Sequence, residues 1–279
     1  MSYLLTKLPL ARTLAIFVLL WGAMTFVTIG VHSYLIVLQR VFLGIVESAV
    51  SPGFVLLCSQ WYKKSEQPLR IAIWYSSTGI FQIFSGVLNY GIGKRAETSS
   101  LSPWKAMYIT GGSVTIFFSI ILFIFLPESP LKSRLLTKEE RLVAVARLKD
   151  DHISVESKKY KWDQVIEAIK DVKIYAFFIL AVAIYMVNGP VTAFGSQVIK
   201  SFGYSSLKSI LMGTPGGATT AVSIWVSAFI AGKCKNTRLM LLMITCLPVI
   251  VGSCIIWKGS WQGRGLPLFG YYLLPVSNV

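Results

Sequence analysis

Arg40 and Glu47 stand inside a stretch that runs from Val31 to Ser59 and is dominated by apolar and small residues. Within RVFLGIVESAVSPGF, Arg40, Gly44, Glu47 and Ser51 are spaced four, three and four apart, so a helix places them on one stripe. A charge at membrane depth costs at least ~2.5–3.5 kcal/mol, so such residues face a bundle interior or a watery path. A desolvated carboxyl can take up and release a proton, and a neighbouring guanidinium both shifts that balance and attracts an anion. The bland alternative is an Arg40 that snorkels to the interface and a Glu47 used only for assembly. Seven residues of helix separate the two by about 10 Å, too far for a direct ion pair without a bend. Each is therefore expected to find a partner on another span, or to share water. Pro52-Gly53 is expected to bend the helix just past the stripe.

Other polar residues stand out against apolar surroundings. Asn89 lies in the last third of a span over Ile71–Ile92. Asn188-Gly189-Pro190 interrupts a span over Ile174–Ile199. A discontinuous helix there frees backbone groups for a ligand or ion; a plain proline kink is the alternative. Glu66 and Arg70 lie in the compact charged loop YKKSEQPLR.

These residues need spans to hold them, and the composition supplies spans. The 279 residues are 54% hydrophobic and only 14% charged, against about 25% charged in soluble domains. Mean hydropathy is +0.64, and the apolar residues come in long runs. The fold class is therefore all-α, a polytopic helical membrane bundle. Crossings are expected over Leu14–Val31, the stretch holding Arg40, Ile71–Ile92, Trp104–Leu126, Ile174–Ile199, Leu207–Gly232 and Met240–Trp257. An eighth, from Leu266, is incomplete at Val279. Gly79, Gly86, Gly91 and Gly93 offer close helix contact in the third, and Pro215-Gly216-Gly217 marks a weak point near the start of the sixth. No cleavable signal peptide is expected in the first run.

The segment from Glu128 to Asp171 carries nine of the twelve acids and ten bases. It reads as a solvated connector with one or two surface helices. Thr137 and Glu140 form a capping box there, with Leu142, Val145 and Leu148 on one face. If this connector is cytoplasmic, the inner segments hold 19 bases and the outer loops seven, with Arg40 the remaining one. The net charge of +15 is thus topological, and no nucleic-acid partner is expected.

The search for other chemistry ends early. There is no HExxH, no GxSxG, and no paired-carboxylate or His–Cys constellation, so no enzyme is expected. Glu139-Glu140 reads as a solvated helix turn. Cys58, Cys234, Cys246 and Cys254 show no metal-ligand spacing, and His32 and His152 stand apart. No metal and no cofactor are expected.

Four spans, a long charged connector and four more resemble the middle of a major facilitator superfamily transporter. The motifs RVFLGIVESAVSPGF, WYKKSEQPLRIAIWY, FLPESPLKSRLLTKEERLVAVARL and KWDQVIEAIKDVKIY, with Asn188-Gly189 and LMGTPGGA, resemble the fungal allantoate permease family of anion:cation symporters. That resemblance implies a partial major facilitator fold, about seven to eight spans of a twelve-helix plan, shortened at both ends. Residues 1–127 would be helices three to six, 128–172 the cytoplasmic connector, and 173–279 helices seven to ten. It implies proton-coupled uptake of a small organic anion, a carboxylate such as allantoate, ureidosuccinate or nicotinate. Arg40 matches the arginine of the fourth-helix motif associated with proton coupling, and Glu47 the acidic position further along the stripe. The Glu66–Arg70 loop matches the loop that latches the inward gate, while Asn89 and Asn188 belong to the expected pathway. The partners implied are a small organic anion, a proton and the lipid bilayer. The alternative is a truncated, non-transporting membrane protein, or one needing a complementary chain to supply the missing helices. A multi-pass plasma membrane location is expected, with an endomembrane as the alternative.

Overall fold

The protein was studied as a computed structural model, which describes residues 2–31, 34–98, 100–133, 136–149, 162–234, 237–259, 263 and 265–277. Among these residues all regular structure is helical. Six helical stretches are long and apolar enough to cross a membrane: Leu10–Gly30, Tyr34–Trp61, Gln67–Ala96, Pro103–Phe125, Val172–Ser201 and Leu239–Lys258. They coincide with six of the expected crossings. The expected sixth span is also helical, but its main part, Thr214–Lys233, is rich in Gly, Ser and Thr and does not reach the same hydropathy. The last apolar stretch, Gly265–Val276, is shorter. The chain is an all-α, polytopic membrane protein.

By their contacts the helices form two units, each described on its own. The first contains residues 1–67 and 96–161. Its helices are α1 (Ser2–Lys7), α2 (Leu10–Gly30), α3 (Tyr34–Glu47), α4 (Val50–Trp61), α6 (Pro103–Phe125) and α7 (Lys138–Lys149). Helix α5 (Gln67–Ala96) belongs almost wholly to the second unit, residues 68–95 and 162–279. The other members there are α8 (Trp162–Lys170), α9 (Val172–Ser201), α10 (Ser206–Met212), α11 (Thr214–Lys233), α12 (Arg238–Lys258) and α13 (Gly265–Leu273). The topological division at residues 127 and 172 and this division by contacts are different partitions.

In the first unit, α2 is the central element and packs chiefly on α6. A Cβ on Gly22 would stand 2.7 Å from Ile116 Cγ1, and one on Gly112 would stand 2.8 Å from the Phe26 ring, so each glycine seats the opposing side chain. Leu5, Leu10 and Leu14 are buried together, with Leu56 and Leu57 of α4 against them. Gln39, buried on α3, donates from Nε2 to the Met24 carbonyl and the Thr28 hydroxyl, both at 2.9 Å. This ties α3 to α2.

The connector forms the predicted capping box, and its apolar face is buried only in part. Glu140 and Thr137 make the capping box, with Thr137 N–H to Glu140 Oε2 at 2.8 Å and Glu140 N–H to Thr137 Oγ1 at 3.3 Å. Of the three apolar residues expected on one face, Leu148 is fully buried and Val145 partly, but Leu142 is exposed. Helix α7 therefore docks by its C-terminal end rather than along its length.

In the second unit, Ile199, Phe202, Val249, Tyr271 and Leu274 form a buried cluster. Gly79 of α5 and Gly217 of α11 face each other so closely that a Cβ on either would run into the other's carbonyl oxygen. Gly252 and Gly270 bring α12 and α13 together in the same way. Tyr272 donates its hydroxyl hydrogen to the Met212 carbonyl at 2.8 Å, and the Thr219 hydroxyl donates to the Tyr272 carbonyl at 3.1 Å.

Candidate functional site on the split second span

The span carrying the charged stripe is two helices, and proline chemistry says why. Pro52 has no N–H to give to the Ser48 carbonyl, and its ring crowds that carbonyl. The helix therefore breaks at Ser48–Ala49, four residues before the proline, and restarts at Val50. The bend was expected after Ser51. Its true position puts Arg40, Gly44 and Glu47 on α3 and leaves Ser51 on α4.

Arg40, Gly44, Glu47 and Ser51 are all exposed. A Cβ on Gly44 would meet nothing within 4 Å, so the stripe faces open space. Arg40 donates from Nη2 to the Tyr108 hydroxyl of α6 at 2.9 Å. Tyr108 in turn lies edge-on to Trp104, with ring centroids 6.1 Å apart. Among the described residues the Glu47 side chain makes no hydrogen bond or ion pair. The two charges therefore do not pair with each other. One is oriented by a phenol, and the other has no side-chain partner among the described residues.

Glu66 forms an ion pair with Arg147 of α7, and Arg12 at the start of α2 pairs with Glu128 after α6 at 3.1 Å. The loop after α4 is thereby tied to the connector. Arg70 opens α5 in the second unit, and Asn89 lies half-buried near the end of that helix. Asn188 is buried on α9. The interruption expected there does not occur: α9 runs unbroken through Gly189 and Pro190. The Thr192 hydroxyl donates to the Asn188 carbonyl at 2.9 Å, tightening the turn that contains the proline. By contrast, the weak point expected at Pro215 is a real break, with α10 ending at Met212 and α11 starting at Thr214.

Sequence reasoning missed Tyr108, Gln39 and Arg147. Gln39 was findable, since an amide inside an apolar run needs a partner. The Arg40–Tyr108 bond links residues 68 apart, and no local spacing signals it. No group of three His, Cys, Asp or Glu side chains that could hold a metal occurs among the described residues.

Membrane-length helices, small residues at their crossings and a charged stripe on an open face define a class: a polytopic α-helical membrane protein with the make-up of a solute carrier. The family profile of the Major Facilitator Superfamily matches residues 1–277, and the chain belongs to that superfamily. It is 35% identical over 278 residues to an uncharacterised transporter of Schizosaccharomyces pombe, covering 99% of this chain and 54% of that protein. It is 29% identical over 284 residues to the allantoate permease of Saccharomyces cerevisiae, covering 97% and 52%. A thiamine pathway transporter of the same yeast is 26% identical over 275 residues, covering 98% and 52%. The chain spans about half the length of these curated relatives.

Proposed function

We propose that this protein takes part in proton-coupled movement of a small organic anion across a membrane. The observation that carries the reading is the state of the stripe: among the described residues Glu47 is unpaired and Arg40 is held by a neutral phenol, both on an open face of a membrane-length span. A phenol does not neutralise a guanidinium, so Arg40 keeps its full attraction for a carboxylate. Glu47, about 10 Å along the helix, takes up a proton without first breaking an ion pair. Likeness to the allantoate permease favours carboxylate-bearing substrates such as allantoate or ureidosuccinate. The excess of bases in the connector and its companion loops favours a cytoplasmic connector. Residues 1–127 and 173–279 would then contribute to the two halves of the carrier, and the plasma membrane is the proposed location.

The test is uptake of labelled allantoate, ureidosuccinate and nicotinate in cells expressing the chain, at several external pH values, with surface expression measured by fluorescence. Uptake of one of them that rises with the proton gradient is expected, with Glu47→Gln removing the pH dependence and Arg40→Ala removing uptake. Unchanged proton-dependent uptake in Glu47→Gln sinks the assignment of Glu47. A surface-expressed chain that carries none of the three sinks the substrate class.

A further inference from the structure

The short helix α8 has two sharply different faces. At 3.6 residues per turn, Trp162, Val165, Ile166 and Ile169 fall within one arc about 100° wide. Gln164 and Glu167 fall on the opposite side, and Asp163 and Lys170 stand beyond one edge of the arc. In a globular protein such an arc is laid on the core. Here no residue of α8 is buried: Trp162 is 64%, Ile166 51% and Ile169 59% exposed.

The helix is held beside a membrane span. A single residue, Asp171, separates it from α9, one of the six membrane-length helices. Asp171 is extended, with φ −82° and ψ 116°, and its carboxylate caps α9 by accepting from the Lys173 N–H at 2.9 Å. An extended residue between two helices makes a corner, so α8 is not a further turn of α9. Val172, Phe177 and Phe178 are exposed on the first turns of α9, so the hydrocarbon begins close to that corner. The nine residues of α8 span about 13 Å, which keeps even the far end of the helix near the headgroups. The acyl chains are therefore the apolar partner within reach of the uncovered arc.

The charges fit an apolar attachment rather than an electrostatic one. Two acids and one base leave α8 without a cationic face for anionic headgroups. Glu167 lies away from the arc, where it stays in water, and Lys170 lies near its edge, where the stem can follow the apolar surface. The transport reading uses none of these residues.

We infer that α8 is a membrane-surface helix, lying in the interface of the bilayer that α9 crosses. Trp162, Val165, Ile166 and Ile169 face the acyl chains, and Gln164 and Glu167 face water. The corner at Asp171 then fixes the depth at which α9 enters the bilayer.

The test places the full chain in phosphatidylcholine nanodiscs with its four cysteines intact. A nitroxide is coupled to a genetically encoded azide at residue 164, 166, 167 or 169, one position at a time. Collision of the label with oxygen, which partitions into the bilayer, is compared with collision with an aqueous nickel chelate. The logarithm of the oxygen-to-nickel ratio is expected to be positive at 166 and 169 and negative at 164 and 167, with or without added phosphatidylglycerol. Trp162→Asp combined with Ile169→Asp is expected to turn the value at 166 negative, and a value that stays positive refutes the arc as the anchor. Negative values at all four positions describe a solvated helix and overturn the inference. Exclusion of both reagents from 166 and 169 also overturns it, since protein then covers the arc. Positive values that need phosphatidylglycerol overturn it as well, because headgroup charge is then the attachment.

Discussion

The crossing of α5 and α11 at Gly79 and Gly217 invites a quantitative test. A Cβ at Gly79 would collide with the Gly217 carbonyl oxygen and stand 2.7 Å from the Ala221 amide nitrogen. One at Gly217 would also stand 3.0 Å from Gln82 Cβ and 3.1 Å from Ile83 Cγ1. Backbone atoms cannot rotate away as side chains do, so the helices must separate. Overpacking of this kind costs about 1–3 kcal/mol, and the upper half of that range applies where the obstacle is backbone. Alanine in place of a helical glycine returns about 0.8–1.0 kcal/mol of propensity. Gly79→Ala should therefore lose about 1–2 kcal/mol net. Gly91, on the same helix, has nothing within 4 Å of its would-be Cβ, so Gly91→Ala should keep the propensity gain alone. The two variants differ by about 2–3 kcal/mol, which at 2–4 °C per kcal/mol separates their melting temperatures by roughly 5–10 °C. Thermal unfolding of the purified protein in detergent reads this directly. The double variant Gly79→Ala/Gly217→Ala should lose less than the sum, because a separated pair of helices has already made room. If Gly79→Ala and Gly91→Ala melt together, the close approach described here is wrong.

Three further outcomes are expected. Tyr108→Phe deletes the acceptor of the Arg40 guanidinium; if Arg40 serves the anion, the apparent affinity for substrate should change while membrane insertion does not, read from the KM for uptake and from surface fluorescence. Leu148→Ala should loosen α7 by about 2–5 kcal/mol because that side chain is fully buried, whereas Arg147→Ala should cost about 1 kcal/mol or less, since the guanidinium is more than half exposed; amide exchange of α7 ranks the two. The Thr137 amide and hydroxyl hold the Glu140 carboxyl below its ordinary value of 4.5. A depressed carboxyl adds stability that is present above pH 4.5 and fades as pH falls through the lower folded value, so α7 amides should exchange faster in that acid window than predicted from intrinsic rates, and Thr137→Ala should shrink the difference without erasing it, because the backbone amide of residue 137 still donates to the carboxylate.

Much of the architecture was legible because the bilayer constrains it so tightly. Apolar runs long enough to cross gave six spans whose cores agree with the helices. Prolines were legible only in part. Pro52 and Pro215 break their helices, whereas Pro190 does not, although all three were flagged as weak points. The difference lies in the neighbours. Thr192 closes its hydroxyl onto the Asn188 carbonyl and holds the turn together at Pro190. At Pro52 the Ser48 hydroxyl bonds back to the Ile45 carbonyl, on the far side of the break. The charged stripe was visible as composition, but its partner was not. Tyr108 sits 68 residues away on a helix whose rotation about its axis no local pattern fixes. The connector misled through periodicity: Leu142 shares a face with Leu148, yet only one end of that face is covered.

The gap at Ser48–Ala49 makes α3 a lever. Glu47 adjoins the fulcrum, while Arg40 lies nine residues away, an arm of about 13 Å. A rotation of only about 10° at that point swings the arginine by roughly 2 Å and leaves the carboxylate almost in place. A displacement of that size is more than a 2.9 Å hydrogen bond to Tyr108 can follow without breaking. The Arg40–Tyr108 bond therefore belongs to the angle between α3 and α4 seen here, and a rotation of that size would break it. Such a rotation would move the arginine end of α3 and leave Glu47 almost in place.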